Sequence, residues 1–530
     1  MGFTAQKMMT LLAVCSLICG CTKPEQDADL VVVNGLEPGT IDPALLTGQP
    51  ERRIASSLFE GLTRFNEKGH AVPGMAESWQ ISPNGKTYVF RLRRSAYWSD
   101  GKPVTAQDFV DSWKRALLPS TGAAYSYQLD VLKNAEAYEQ GKIADFTQVG
   151  VKALDTHTLQ VELENPAKYF LDLCAIPIFA PVRPDIIERH GGAWTKPENI
   201  VGNGPFILDQ WRLNDRIRLR KNPRYWDAAH VRLHTLDLLP VAVANTALNF
   251  YYAGQVDVLL DKGILSPLYI DVLKQTPDYH AAPFLGTYFL AFNCTRKPFD
   301  DPRVRLAFSL VAHKERITKN ITRAGEQPAS GLVPPGVAGY SGVKGLPYDP
   351  ARARELLKEA GYPSGRGLPF IEFLYNSNTL DQGIAIELQD AWRRELGVTV
   401  SPTQQEWKVY LNSLNALNFD VSRRSWVGDY ADPNTFLEMF TTGNGNNRTG
   451  WSNPKYDRWI AQALKETDAQ KRFRILAEAE DFLVNRQGVI CPIFAYVGVL
   501  FFNDSRVGGL EPNLLDEHPF RTMYRKDPRR

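Results

Sequence analysis

Cysteine is scarce in this chain of 530 residues: there are six, alongside six methionines and eight histidines. Cys15, Cys19 and Cys21 sit in the first 21 positions, leaving Cys174, Cys294 and Cys491 in the body of the chain. Those three have no CxxC or other metal-ligand spacing and allow at most one disulfide, whose pairing the sequence does not choose. An excess of charge is missing too. Lys+Arg number 61 against 59 Asp+Glu, and a net charge of +2 leaves no nucleic-acid footprint. The basic tail Arg521–Arg530 reads as a solvated terminus. There is no HExxH, no GxSxG, no GxGxxG and no P-loop. Gly202-Asn203-Gly204-Pro205 has glycines but not the spacing that cradles phosphate. His230 and His234 stand at i,i+4 in a segment that reads as loop into strand, so they do not form a helical metal pair. With 59 acidic residues, no carboxylate pair can be singled out as glycosidase machinery. No metal, cofactor or catalysis is expected.

Long apolar runs are also few. Met8–Ile18, behind Lys7, is too short to span a bilayer and has the form of a signal-peptide core. Ile18-Cys19-Gly20-Cys21 resembles a bacterial lipobox. Residues 1–21 are therefore expected to be a lipoprotein signal peptide, with Cys21 the lipidated residue and the mature chain outside the cytoplasm.

What is present is a folded soluble composition, 44% hydrophobic and 23% charged, too long for one core. Leu30–Val33 reads as a buried strand, Arg53–Leu62 as a short helix, and Lys86–Arg93 as a half-buried strand of period two. Thr105 and Asp108 form a capping box before Phe109, Trp113 and Leu117 at helical spacing. Asp155–Leu163 alternates as one strand, and Leu285–Asn293 is another strand. Asp301-Pro302 and Asp349-Pro350 open helices; Thr467 and Gln470 make a second capping box. Val489–Phe502 contains Pro492 and reads as strand–turn–strand. Strands alternating with helices predict a mixed α/β fold of parallel units.

The densest chemistry lies in Arg423–Phe436, RRSWVGDYADPNTF. Asp429 stands between Trp426 and Tyr430, where a strand ends at Gly428, and Asp432-Pro433 reads as a helix N-cap with proline behind it. A carboxylate walled by aromatics needs a cation. Arg423, Arg424 or a ligand ammonium would serve, so a structural ion pair and a binding site both remain open.

This segment resembles the ligand-anchoring segment of oligopeptide-binding proteins of ABC importers, solute-binding protein family 5. So do, in order, LEPGTIDPAL, SSLFEGLTRF, GMAESWQISPNGKTYVFRLR, AYWSDGKPVTAQDFVDSWKR, IVGNGPFIL, NPRYWD and FNCTRKPFDDPRVRLAF. The resemblance spans essentially the whole mature chain. It implies a two-lobed periplasmic-binding-protein fold with an extra domain and a hinge-closing cleft. Domain I would comprise 22–59, 184–285 and 498–530, the extra domain 60–183, and the second lobe 286–497. The implied function is capture of short peptides for a permease and its ATPases, by a monomer held to the membrane through its lipid. By the same resemblance Asp429 takes the peptide's α-ammonium, and Ser425 and Val427 pair with its main chain. Trp407, Trp426 and Tyr496 wall side-chain pockets, and Tyr125 lies in the cleft. Thr47–Gln49 offer backbone, Arg423 supports the site or meets the ligand, and Arg296 reaches a ligand carboxylate. Two positions depart from the family. Leu414 and Asp381 replace an arginine and a histidine that meet ligand carboxylates, so the carboxyl-end anchors differ, and Asp381 would favour a basic or amidated end. A murein peptide, haem or another small solute in the same fold, or a secreted peptidase, are the alternatives.

Overall fold

The computed structural model describes residues 27–260, 265 and 268–527; the expected signal peptide and Cys21 lie outside them. The main sheet is built on β1 (Leu30–Val33), β2 (Phe206–Arg212), β3 (Arg216–Lys221), β4 (Thr235–Leu239), β5 (Val258–Leu259), β6 (Tyr279–Phe292), β7 (Ile371–Asn376), β8 (Val400–Gln405), β9 (Val421–Val427) and β10 (Ile490–Phe502). Their order is β8-β7-β9-β6-β10-β5-β1-β4-β3-β2, with Gln327–Pro328 added to β10. Parallel pairing occurs at both ends, β1 with β4 and β5, and β7 with β8 and β9.

The fold is α/β and two-lobed, and β6 and β10 run through both halves. Tyr279–Pro283 of β6 pairs with Val497–Phe501 of β10, next to β5; Thr287–Ala291 pairs with Ala495–Ile490, next to β9. Between these two stretches the register shifts. Phe284, Leu285 and Gly286 stand against Tyr496 alone, a bulge at the point where the strands pass from one lobe to the other.

A separate four-stranded antiparallel sheet, in the order Ala76–Ile81, Thr87–Leu92, Thr158–Glu162, Val151–Asp155, packs under the helix Ala106–Leu117. Its capping box forms as the spacing predicts, with Thr105 accepting from the Asp108 N–H, and Phe109 and Trp113 fully buried.

Several expectations are corrected. Asp155–Leu163 is not one strand: a turn at Thr156-His157 joins Val151–Asp155 to Thr158–Glu162. Ile490–Phe502 is continuous despite Pro492, because a register shift beside Pro492 removes the need for a regular ladder there. The N-cap of the helix Ala469–Asp481 is Asp468, not Thr467. The first helix, α1, runs Gln49–Leu58, starting four residues early because Pro50 fits a helix's first turn. The helix after Asp432 is a single turn, Asn434–Leu437, with Asp432 Oδ1 accepting from the Asn434 N–H at 2.9 Å. Cys174, Cys294 and Cys491 are all free.

Candidate ligand-binding cleft

The site begins with the edge of β9. One side of this strand is paired with β6 from Val421 to Val427, but β7 meets its other side only at Val421 and Ser422. Gly428 N–H donates to Leu285 O at 2.7 Å, on the β6 side. Backbone groups alternate along a strand, so those of Arg423, Ser425 and Val427 point the other way. The Arg423 carbonyl does so, accepting from the Tyr410 hydroxyl. Ser425 and Val427 thus present main-chain groups on an edge where no strand pairs among the described residues.

Asp429 lies just past the end of that edge and is 8% exposed. Its Oδ1 is 3.2 Å from Arg52 Nη1, and its Oδ2 accepts from Gln128 Nε2 at 2.8 Å. Arg52 Nη2 also reaches Glu517 Oε1 at 2.6 Å, so one guanidinium serves two carboxylates. Burial raises the Asp429 pKa to about 6 against the lowering effect of Arg52. Neither Arg423 nor Arg424 is its partner. The cation is Arg52, on α1, three residues beyond Gln49. Sequence reasoning misses both Arg52 and Gln128. Nothing local to either reports a partner more than 300 positions away.

Arg423 and Asp381 form a pair instead. Asp381 is 1% exposed, at the start of α2 (Thr379–Leu396), with its Oδ1 3.2 Å from Arg423 Nε. Its other oxygen accepts from Asn378 Nδ2. Arg423 Nη2 donates to the Tyr496 hydroxyl at 3.3 Å and its guanidinium carbon lies 5.0 Å from the Tyr288 ring. Asp381 is thus committed inside the lobe rather than offered to a ligand's basic end.

Other expected residues divide between those brought to this cleft and those held elsewhere. Trp407 opens α3 (Trp407–Asn415), is 44% exposed, and stacks on Tyr410 at 5.6 Å, so it is not core. Trp426 packs partly buried, on the face opposite Arg423, and its Nε1 has no hydrogen-bond partner among the described residues. Tyr125 stacks on Tyr127 at 5.8 Å and feels the charges of Asp429, Arg52 and Arg448; burial raises its pKa. Tyr496 lines a cavity of about 310 Å³ at the bulge, with Phe284 and Gln327. Thr47 is exposed and Gln49 half-buried at the entrance to α1. Arg296 is held away: Asp420 Oδ1 lies 3.1 Å from its Nε, which also donates to the Phe419 carbonyl at 3.0 Å. Leu414 is buried with Leu374, Tyr410 and Phe419.

Both lobes meet around Asp429. Tyr169, seven residues past the Thr158–Glu162 strand, stacks on Tyr430 with centroids 4.1 Å apart and planes at 7°. Against known proteins, residues 70–448 match the model of the bacterial extracellular solute-binding proteins, family 5. The chain belongs to that family. The Escherichia coli periplasmic murein peptide-binding protein MppA is 38% identical over 498 residues, covering 92% of this chain and 91% of the relative. The periplasmic oligopeptide-binding protein OppA of the same organism is 36% identical over 514 residues, covering 95% and 94%. A solved structure of the E. coli murein tripeptide-binding protein MppA superposes with a TM-score of 0.88 over 95% of this chain and 99% of that one, at 36% identity. The MppA murein tripeptide-binding protein in its unliganded open form gives 0.69, over 94% and 98%, at 37% identity. The lower score against an open form fits the interlobe contacts at Tyr169–Tyr430 and Arg52–Asp429. As a family 5 solute-binding protein the chain is extracytoplasmic.

Proposed function

We propose that this family 5 protein captures short peptides by their free amino terminus and main chain and delivers them to the permease of an ABC importer. The observation that carries this reading is the position of Asp429 at the end of the open β9 edge. Two carboxylates share one guanidinium there, so a further cation is electrostatically welcome, and an α-ammonium is a cation attached to a strand-forming chain. Pairing along Ser425 and Val427 reads no side chains, so it adds affinity without sequence preference. Trp407, Trp426, Tyr125 and Tyr496 wall the pockets, with Thr47–Gln49 on the opposite side. Arg423 supports the strand through Asp381, and Arg296 keeps a role only for ligands long enough to displace it from Asp420. The β6–β10 bulge is the hinge, and peptide binding shifts an open–closed equilibrium. The domain divisions at 59/60, 183/184, 285/286 and 497/498 follow the same reading, as do the lipid anchor at Cys21, the monomer and the absence of catalysis.

Native mass spectrometry of the purified protein, followed by sequencing of the released ligand, tests the reading. A ladder of short peptides of mixed sequence supports it. One defined mass points to a dedicated ligand such as a murein peptide, the kind for which one relative is named. An empty protein that ignores tri- to pentapeptides overturns it.

A further inference from the structure

Arg424 is 4% exposed and has no carboxylate partner among the described residues. Its Nη1 donates to the Asn446 carbonyl at 3.0 Å, its Nη2 lies 4.0 Å from Met439 Sδ, and its guanidinium carbon lies 5.7 Å from the Phe289 ring. Beside it stands Arg448, whose backbone N–H donates to the same Asn446 carbonyl at 2.9 Å and whose buried Nε has no hydrogen-bond partner among the described residues. Burial, and then the Arg448 charge, lower the Arg424 pKa to about 9, so Arg424 remains cationic at neutral pH. An arginine buried beside a second one, with no anion, is a costly arrangement to maintain. Arg52 and Arg423, at the cleft, are each paired: Arg52 has Asp429 and Glu517, and Arg423 has Asp381; Arg296, held away from it, has Asp420.

The pair also lies where a ligand would pass. Tyr125 feels the charges of Asp429 and Arg448 together, so the amine anchor and Arg448 both act on one phenol. Arg424 is five residues before Asp429, about 16 Å at the rise of a strand. A peptide with its amine at Asp429, lying along the β9 edge, runs antiparallel to β9. Its side chains alternate between the Arg423 face and the Arg424–Trp426 face.

We infer that Arg424 and Arg448 form a carboxylate-binding subsite, which takes an acidic side chain or the terminal carboxylate of a ligand about four or five residues long. Neither residue is among those that the family resemblance assigns to the ligand. Two guanidinium groups without a carboxylate among the described residues can offer a forked set of donors to one carboxylate. The inference rests on the proposed peptide-binding reading and is tested separately from it.

The test is calorimetry with tetra- and pentapeptides matched in pairs. In one pair Glu replaces Gln at position 3, 4 or 5; in the other a free carboxyl end replaces an amide. Wild-type protein is expected to prefer at least one acid form by tenfold or more. A Glu preference identifies a side-chain subsite and a free-end preference a terminal one; either supports the pair. Arg448→Gln brings that ratio to near one. Arg424→Met does the same if it folds; Arg448→Gln, on a half-buried loop residue, decides the matter if it does not. Equal affinity for acid and neutral forms overturns the subsite while leaving peptide binding intact. A preference that survives Arg448→Gln unchanged also overturns it. Binding of no peptide at all overturns both readings.

Discussion

Arg52 Nη1 lies 3.2 Å from Asp429 Oδ1, across the cleft between the first helix and the end of β9. The guanidinium is shared with Glu517, so the three groups together carry one unit of negative charge in a buried place. That residual charge is the physical basis of the amine anchor.

Replacing Asp429 with Asn removes it. The α-ammonium of a bound peptide would then be buried against an amide, a loss of ~3–5 kcal/mol. Affinity for peptides with a free amino terminus is expected to fall by about two to four orders of magnitude, with folding retained. Calorimetry with free and N-acetylated peptides checks this; equal binding of both by wild-type protein would sink the anchor.

The same group sets a pH dependence. The Asp429 pKa of about 6 is raised above the ordinary carboxylate value, so in the empty protein this site favours folding at low pH and loses that contribution as pH rises to about 6. A bound ammonium pulls the pKa back down. Affinity therefore weakens toward pH 8 as the free peptide's own amine, with a pKa of about 8, loses its proton; it is greatest near pH 7 and falls below pH 6, by up to tenfold per unit. Titrations from pH 8 to 4.5 should show this break, and Asp429→Asn should remove it.

Asp381→Ala should act on stability, not on ligand choice. It leaves Arg423 buried without its carboxylate, at a cost of ~3–5 kcal/mol. Thermal unfolding should show a large fall in Tm. A retained Tm with a reversed ranking of basic-ended and acid-ended peptides would show that Asp381 faces the ligand after all.

Tyr169→Leu removes the stack on Tyr430 across the lobes. Such a stack contributes ~0.5–1.5 kcal/mol beyond its buried area. The variant should populate the open form more, seen as a larger radius of gyration by small-angle scattering without ligand, and should reach the wild-type value on saturation. An unchanged radius would mean that the stack does not bias closure.

Cys21→Ser should release the mature protein from the membrane fraction and abolish labelling with a fatty-acid analogue. Labelling that persists would place the lipid elsewhere or show another anchor.

Elements with strong local signals are legible in the residues alone: the Thr105–Asp108 cap, the helix behind Asp349-Pro350, and the strand that ends before Asp429. Each depends on contacts within one or two turns, where residue type and spacing decide the outcome. Val489–Phe502 misleads because Pro492 normally excludes a regular strand; the register shift that tolerates it is a property of the pairing with β6.

The family is legible in an ordered set of segments, and so is the place of Asp429 at a strand's end. What surrounds that carboxylate emerges only when distant parts of the chain fold together. Arg52 and Gln128 reach it from 377 and 301 positions away. The tertiary structure also gave Asp381 to Arg423 and left Arg424 and Arg448 without a carboxylate among the described residues. The physical reason is that ion pairing depends on distance in space and on burial. Neither is written in the local pattern, because the chain must close long loops before such groups meet.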